Sequence, residues 1–197
     1  MSSPALEQWR TARAARLDEL VGAHRRIGGQ GAGRRWDTEQ INWALVLRLA
    51  TEFQGFARDI HSLAADVLAD WSCGTNAVAR DIFVASLTLN RQIDQRNATP
   101  SSLGADFGRF GLKFWDELKE RDRRTESRQF HLECLNEARN AIVHDEPGKL
   151  EALRQRGYPL TLKTIRRWRG SVEALASTMD LVIAQHLAAL FGRSSPW

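Results

Sequence analysis

The chain has few of the residues that define small secreted or metal-binding proteins. It contains two cysteines, Cys73 and Cys134, among 197 residues. Two cysteines are too few for a disulfide framework, and their separation does not match the paired spacing of a zinc site. We therefore expect a reduced, cytoplasmic protein that has no metal site and needs no cofactor.

Long apolar runs and proline are scarce as well. No apolar run approaches the about 20 residues of a membrane-spanning helix, so we expect no membrane association. Residues 1–16 alternate arginine with alanine and lack the apolar stretch of a secretory signal. Only five prolines interrupt the chain, and no segment shows the alternation that is typical of strands. The sequence therefore predicts an all-α protein.

Length and composition fit one folded domain. A chain of 197 residues of which 43% are hydrophobic can bury one core. Residues 28–33 are mostly glycine and indicate a flexible linker. This linker would separate a basic N-terminal helical extension, residues 1–35, from the main domain, residues 36–197. For the main domain we predict a bundle of about five to six helices.

Apolar residues that recur at three- and four-residue steps predict the main helices. We expect helices over residues 4–27, 38–70, 76–96, 113–120, 125–144 and 161–191. The helix over 38–70 carries apolar residues on several sides, which predicts a central, buried position. Residues 97–111 are rich in glycine, serine and asparagine and are expected to form a loop.

One segment places charged and polar residues inside an otherwise apolar helix. Within residues 137–145, Arg139, Asn140 and His144 form the pattern R-N-x-x-x-H. On a helix with about 100° per residue, Arg139 falls on the same side as Leu135, which predicts a buried guanidinium. Asn140 and His144 lie one turn apart on the opposite, polar side.

This pattern resembles the RNA-cleaving motif of HEPN (higher eukaryotes and prokaryotes nucleotide-binding) domains, in which arginine, usually a polar residue, spacers and histidine occur late in an all-helical domain. The specific match covers residues 139–144, and the succession of helices agrees over residues 37–190. The resemblance implies an HEPN-like bundle that acts as a metal-independent endoribonuclease. Such a protein would be a toxin or an antiphage effector, with RNA, a second copy of the chain and an antitoxin protein as partners.

The chemistry explains the residue types. A base takes the proton of the ribose 2′-OH, which attacks the neighbouring phosphorus, while a cation neutralises the nonbridging oxygens. The resemblance implies that His144 is the base or acid, Arg139 the phosphate ligand and Asn140 a polar supporter. One histidine cannot easily serve as both base and acid, and the resemblance implies a two-fold dimer that brings two motifs together.

Arginines cluster although the net charge is only +4. Two clusters are candidate RNA contacts through attraction to phosphates. They consist of Arg121, Arg123 and Arg124 and of Arg166, Arg167 and Arg169. A genome rich in G and C would also enrich arginine without a functional reason.

Each motif residue also has a purely structural interpretation. A buried Arg139 needs a carboxylate partner, for which Glu52 is the first candidate and Asp59 the second. His144 near a helix C-terminus could act only as a favourable cap. Two alternatives to the nuclease therefore stay open, namely a catalytically inactive domain that binds RNA or a nucleotide and a helical dimerisation module.

Overall fold

The computed structural model describes residues 1–28 and 35–197, except for the side chains of residues 28 and 35–37. All regular structure in these ranges is helical, which confirms the predicted all-α class. The elements are α1 (Pro4–Gln8), a π-helical turn (Trp9–Arg13), α2 (Ala14–Gly28), α3 (Arg35–Cys73), α4 (Ala77–Thr88), α5 (Gln92–Gln95), α6 (Pro100–Gly108), α7 (Phe114–Arg121), α8 (Thr125–Val143), α9 (Pro147–Gln155) and α10 (Leu162–Phe191).

Two long helices form the centre of the bundle. The 39-residue helix α3 buries Phe53 and Phe56 completely. The 30-residue helix α10 packs on α3 and buries Trp168 and Leu175. Helices α2, α4 and α8 surround α3, and the central position predicted for residues 38–70 agrees with this burial. Burial of large apolar side chains along both helices is the main source of stability for such a bundle.

By length and composition alone, α10 is the one helix in the described part of the chain that could cross a membrane. Polar residues divide the apolar residues of α10, so the helix contains no long uninterrupted apolar run and was not expected to span a membrane. Its side chains from Ile165 to Leu187 pack into the bundle at repeated three- and four-residue steps. Core helices of soluble proteins have the same composition, and the structure is compatible with a soluble protein.

The N-terminal helices belong to the bundle core rather than to a separate extension. Leu6, Trp9 and Leu17 are buried in the same apolar cluster as the side chains of α3. The Trp9 ring lies edge-on against Phe53, with a centroid separation of 6.0 Å. The segment was expected to be separate because of the glycines in residues 28–33, most of which lie outside the described residues. Trp9 and Leu17 show that its apolar side completes the core.

The N-terminus is also attached to α10 by a buried polar contact. The backbone N–H of Ser3 donates to Asp180 Oδ1 at 3.2 Å, across 177 positions of sequence. Ser3 Oγ in turn accepts from the N–H of Leu6 at 3.1 Å and caps α1. Burial raises the pKa of the Asp180 carboxyl. The contact fixes the residue that caps α1 against α10.

A buried carboxylate joins α2 to α3. The side chain of Glu52 is only 4% exposed and pairs with three arginines. Arg16 Nε lies 2.6 Å and Arg48 Nε 2.9 Å from its Oε1, and Arg13 Nη1 lies 2.8 Å from its Oε2. Burial raises the pKa of Glu52, but the hydrogen bonds and charges of the arginines outweigh it and hold this pKa below its usual value.

The predicted pairing of Arg139 with Glu52 or Asp59 is therefore wrong. Arg13 occupies both carboxylates, since its Nη2 lies 2.6 Å from Asp59 Oδ2. Residues of the N-terminal helices thus neutralise the acidic residues of α3. These pairs were not predicted, because the N-terminal segment was expected to form a separate extension.

The region predicted as a loop contains a helix. Thr99 Oγ1 accepts from the N–H of Ser102 at 3.1 Å and caps α6, with Pro100 in the first turn. Leu103 and Phe107 of α6 are fully buried, so tertiary packing overrides the low helix propensity of the glycines and serines. The predicted helix over residues 76–96 is divided into α4 and α5, and α9 was not predicted. The bundle therefore has more helices than expected.

Candidate active site

A hydrogen-bonded turn ends α8 and positions His144. The N–H of Glu146 donates to the carbonyl of Ala141 at 2.8 Å, and that of Asp145 to the carbonyl of Ile142 at 3.4 Å. This is the Schellman pattern, in which the residue after the cap is left-handed. Asp145 holds that position with φ 51°, which aspartate tolerates better than most residues. His144 is the C-cap residue, and its side chain is exposed.

The buried face of α8 changes toward the end of the helix. Leu132 and Leu135 are buried at its middle, whereas Ala138 and Ala141 are the buried positions of its last turns. Arg139 is consequently only half-buried and does not enter the core. Val143, four residues after Arg139 and so near the same side of the helix, is 51% exposed. The expected burial of Arg139 is therefore wrong, and its guanidinium does not require a carboxylate partner.

Asn140 connects Arg139 to the segment between α5 and α6. Its Oδ1 accepts from Arg139 Nη1 at 3.0 Å and from Asn97 Nδ2 at 2.7 Å. Two donors on one oxygen fix the orientation of the amide. In the part of the chain that the structure describes, no carboxylate lies within ion-pair distance of Arg139. Its positive charge is therefore held in place without being neutralised.

Arg139 and Asn140 form one wall of a polar cleft of about 740 Å³. The cleft lies between α3, α5, α6 and α8. Gln54 and Arg58, one turn apart on α3, also line it. Gln54 Nε2 donates to the carbonyls of Ile93 at 2.8 Å and of Arg96 at 2.7 Å, so it holds the α5–α6 segment against α3. A volume of this size accommodates a nucleotide-sized ligand.

The cleft is basic. Arg58 Nε lies 3.1 Å from Asp94 Oδ1, and that carboxylate also pairs with Arg91 at 2.9 Å. Arg96 lines the cleft, is exposed and forms no ion pair with the described residues. Arg96 and Arg139 thus both carry uncompensated charge in the lining of the cleft. Such a pair of guanidinium groups suits an anionic ligand, above all a phosphate.

Sequence reasoning missed Arg58 and Arg96. Neither belongs to a run of basic residues, and the fold brings each of them to Arg139 from a distant position. The only local signal was the spacing of Gln54 and Arg58, which places two polar side chains on one side of an otherwise buried helix.

The arginine clusters predicted to contact RNA lie away from this cleft. Arg121, Arg123 and Arg124 are exposed where α7 meets α8, roughly 20 Å from Arg139 along the axis of α8. In the second cluster, Arg167 lies over the ring of Tyr158 at 5.5 Å, and Arg169 Nη1 lies 2.5 Å from Asp18 Oδ1. None of the six arginines in the predicted clusters lines the cleft. They are Arg121, Arg123, Arg124, Arg166, Arg167 and Arg169.

A buried histidine on α3 contacts helix α6 and the residue before α5, near the cleft. His61 is fully buried, its Nδ1 accepts from Arg91 Nη1 at 3.2 Å, and its Nε2 donates to the carbonyl of Asp106 at 3.1 Å. Burial, with a contribution from the Arg91 charge, lowers the pKa of His61 to about 4. The carboxylate of Asp106 accepts the backbone N–H groups of Gln92 and Ile93. His61 is therefore a packing residue.

Comparison with known proteins adds no further evidence. No protein-family model, curated protein or solved structure matches the chain. Among the described residues, no group of three or more histidine, cysteine, aspartate or glutamate side chains is arranged to hold a metal ion. The features that bear on function are therefore the all-helical fold, the R-N-x-x-x-H motif and the basic cleft beside it.

Proposed function

We propose that the protein is a metal-independent endoribonuclease whose site comprises Arg139, Asn140 and His144, as the resemblance to HEPN domains implies. The observation that carries this proposal is the uncompensated Arg139 guanidinium, which Asn140 fixes at the wall of a basic cleft. His144 is exposed one turn beyond Asn140, at the end of the same helix. A cation can bind the phosphate and an imidazole can act as the base in cleavage by the 2′-OH.

In this mechanism, a phosphodiester of the RNA binds Arg139 at the cleft wall. Neutral His144 takes the proton of the 2′-OH, and the resulting alkoxide attacks the adjacent phosphorus. Arg139 stabilises the negative charge that gathers on the nonbridging oxygens. The bond from phosphorus to the 5′-oxygen breaks, and that oxygen takes a proton from an acid. The products are a 2′,3′-cyclic phosphate and a 5′-hydroxyl.

The acid is supplied by a second copy of the chain. Arg139 and His144 are five residues apart, which separates their directions by about 140° around the helix. His144 is not among the lining residues of the cleft, and exposed Val143 beside it offers an apolar contact. A two-fold axis near the end of α8 would place the His144 side chains of both copies at one phosphodiester. The dimer is then the catalytic unit.

Arg96 and Arg58 would bind neighbouring phosphates of the same RNA strand. An endoribonuclease of this kind fits a toxin or an antiphage effector, and an antitoxin protein would be its second partner. The support for this role is the resemblance of the motif.

The test is cleavage of a structured RNA by the purified protein in the presence of EDTA. We expect cleavage that leaves 2′,3′-cyclic phosphate ends, and no cleavage where a 2′-deoxyribose occupies the cut site. His144→Ala and Arg139→Ala should each lower the rate at least ~100-fold, the usual scale for such groups. Arg123→Ala, an exposed arginine at the other end of α8, is the matched control and should retain full activity.

A different result would favour a binding domain. Because His144 does not line the cleft of its own chain, a protein that stays monomeric would keep the basic cleft without a complete catalytic site. RNA or nucleotide binding that Arg139→Ala abolishes, without cleavage by the unmodified protein at any concentration, would identify the catalytically inactive alternative. Cleavage that needs a divalent metal or survives His144→Ala would contradict the mechanism.

A further inference from the structure

A second cleft lies on the other side of the end of α8. It has a volume of about 840 Å³ and shares no lining residue with the basic cleft. The first turns of α3, the last turn of α8, helix α9 and the segment before α10 enclose it. Its walls include the apolar side chains of Trp43, Ile142, Leu150 and Leu160. This surface is suited to an apolar group, unlike the polar walls of the first cleft.

The charge of the second cleft is opposite to that of the first. Four acidic residues line it, namely Glu39, Asp145, Glu146 and Glu151. Glu146 pairs with Lys149 at 2.8 Å and Glu151 with Arg154 at 2.6 Å. Glu39 and Asp145 are exposed and form no ion pair with any described residue. The cleft therefore presents unneutralised negative charge on a chain whose net charge is +4.

A buried amide in the wall lacks a partner. Asn42 lines the cleft and is only 7% exposed, and its Oδ1 has no hydrogen-bond donor within the described part of the chain. Buried polar side chains in folded proteins are almost always hydrogen-bonded. An exception that borders an open cleft indicates that a ligand supplies the donor. A peptide N–H is the most common group of this kind, and the side-chain amide can turn about its last bond to meet it.

We propose that this cleft binds a short segment of a partner protein in which a leucine or an aromatic residue is flanked by lysine or arginine. The apolar side chain packs against Trp43, Ile142 and Leu160. The flanking cations pair with Glu39 and Asp145 at the mouth. RNA is disfavoured here because its phosphates would meet these two carboxylates, so the two clefts divide their ligands by charge.

The position of the second cleft gives such a partner access to the motif. Ala141, Ile142 and Asp145 line the cleft and flank His144 in sequence and in space. A segment seated there lies against the last turn of α8, next to the position of His144. Binding itself does not depend on whether Arg139 and His144 cleave RNA.

The experiment uses the full chain and three fluorescent probes. Two short peptides share a Leu-Trp centre and carry either arginine or glutamate on both sides, and the third probe is a short single-stranded RNA. We expect the arginine-flanked peptide to bind and to shift the methyl NMR signals of Ile142, Leu150 and Leu160. The glutamate-flanked peptide should bind at least ~10-fold more weakly, as the loss of two charge pairs predicts. The RNA should not shift these signals.

Variants at the mouth separate this site from general attraction to the surface. The double substitution Glu39→Gln and Asp145→Asn should weaken the arginine-flanked peptide about 10-fold. Glu120→Gln with Glu126→Gln removes two exposed carboxylates elsewhere and should leave binding unchanged. Asn42→Leu should weaken both peptides and retain the preference for arginine. Equal binding of both peptides, methyl shifts caused by RNA, or no peptide binding at millimolar concentration would overturn the proposal.

Discussion

Removal of the Glu52 carboxylate tests how the N-terminal helices are held to the bundle. In Glu52→Ala, Arg13 loses one of its two carboxylates, while Arg16 and Arg48 turn toward solvent. A hydrogen bond to a charged group contributes about 1.5–3 kcal/mol when buried. The side chain of Arg13 is 13% exposed, so its bond counts nearly in full. Arg16 and Arg48 are 37% and 39% exposed, so solvent screening reduces their share.

The expected loss is therefore about 3 kcal/mol of the free energy of unfolding, most of it from Arg13. Urea titration followed by circular dichroism measures it, with Glu120→Ala as an exposed control that should change stability by less than about 0.5 kcal/mol. Glu52→Ala combined with Arg13→Ala should cost less than the sum of the two single losses, because both substitutions remove the same contact. A loss below about 1 kcal/mol would refute the ascribed role of this cluster.

The same cluster predicts a dependence on pH. The arginines hold the pKa of Glu52 below its usual value in the folded protein. Its contribution to stability is therefore complete above the ordinary pKa of a glutamate, near 4.3, and disappears as pH falls through the lower folded value. The difference in stability between the unmodified protein and Glu52→Gln should shrink below about pH 4. A difference that stays constant in acid would show that charge is not its cause.

The remaining predictions concern the site and its support. If the catalytic unit is a dimer, mixing the inactive Arg139→Ala and His144→Ala proteins should restore part of the ribonuclease activity. Mixtures that stay inactive although the dimers exchange subunits would argue against a site shared between two chains. Arg96→Ala should weaken RNA binding and lower the dependence of log K on log salt by about one unit per lost phosphate contact. Arg121→Ala, which lies away from the cleft, should change neither quantity. Because burial lowers the pKa of His61 to about 4, unfolding should become easier as pH falls from about 6.5 toward 4, and His61→Gln should remove that slope in urea titrations.

Local patterns allowed the helix that carries the motif to be predicted almost to the residue. The apolar period placed its ends at residues 125 and 144, and the structure ends α8 at Val143. The side that Arg139 would face was predicted wrongly. The buried face shifts toward Ala138 and Ala141 near the end of α8, and this shift depends on which helices pack there. Side-chain period alone carries no information about the neighbours of a helix.

Features that depend on distant residues could not be read from the chain. The basic cleft needs Arg58 and Arg96, which are single arginines in sequence and meet Arg139 only through the packing of α3 against α5 and α8. Helix α6 was missed for a similar reason, since its buried Leu103 and Phe107 outweigh a composition that favours loops. Spacing predicts local structure well and tertiary contacts poorly, because a contact needs two partners.

The hydrogen bond between Ser3 and Asp180 also affects when the fold can be completed. It joins positions 177 residues apart, and α1 packs on both α3 and α10. Contacts this distant in sequence slow folding, because a long loop must close before they form. On the ribosome, the bundle cannot close until α10 has left the exit tunnel. A nascent chain therefore keeps the apolar side of α1 incompletely covered until the residues of α10 have emerged and can fold back on it.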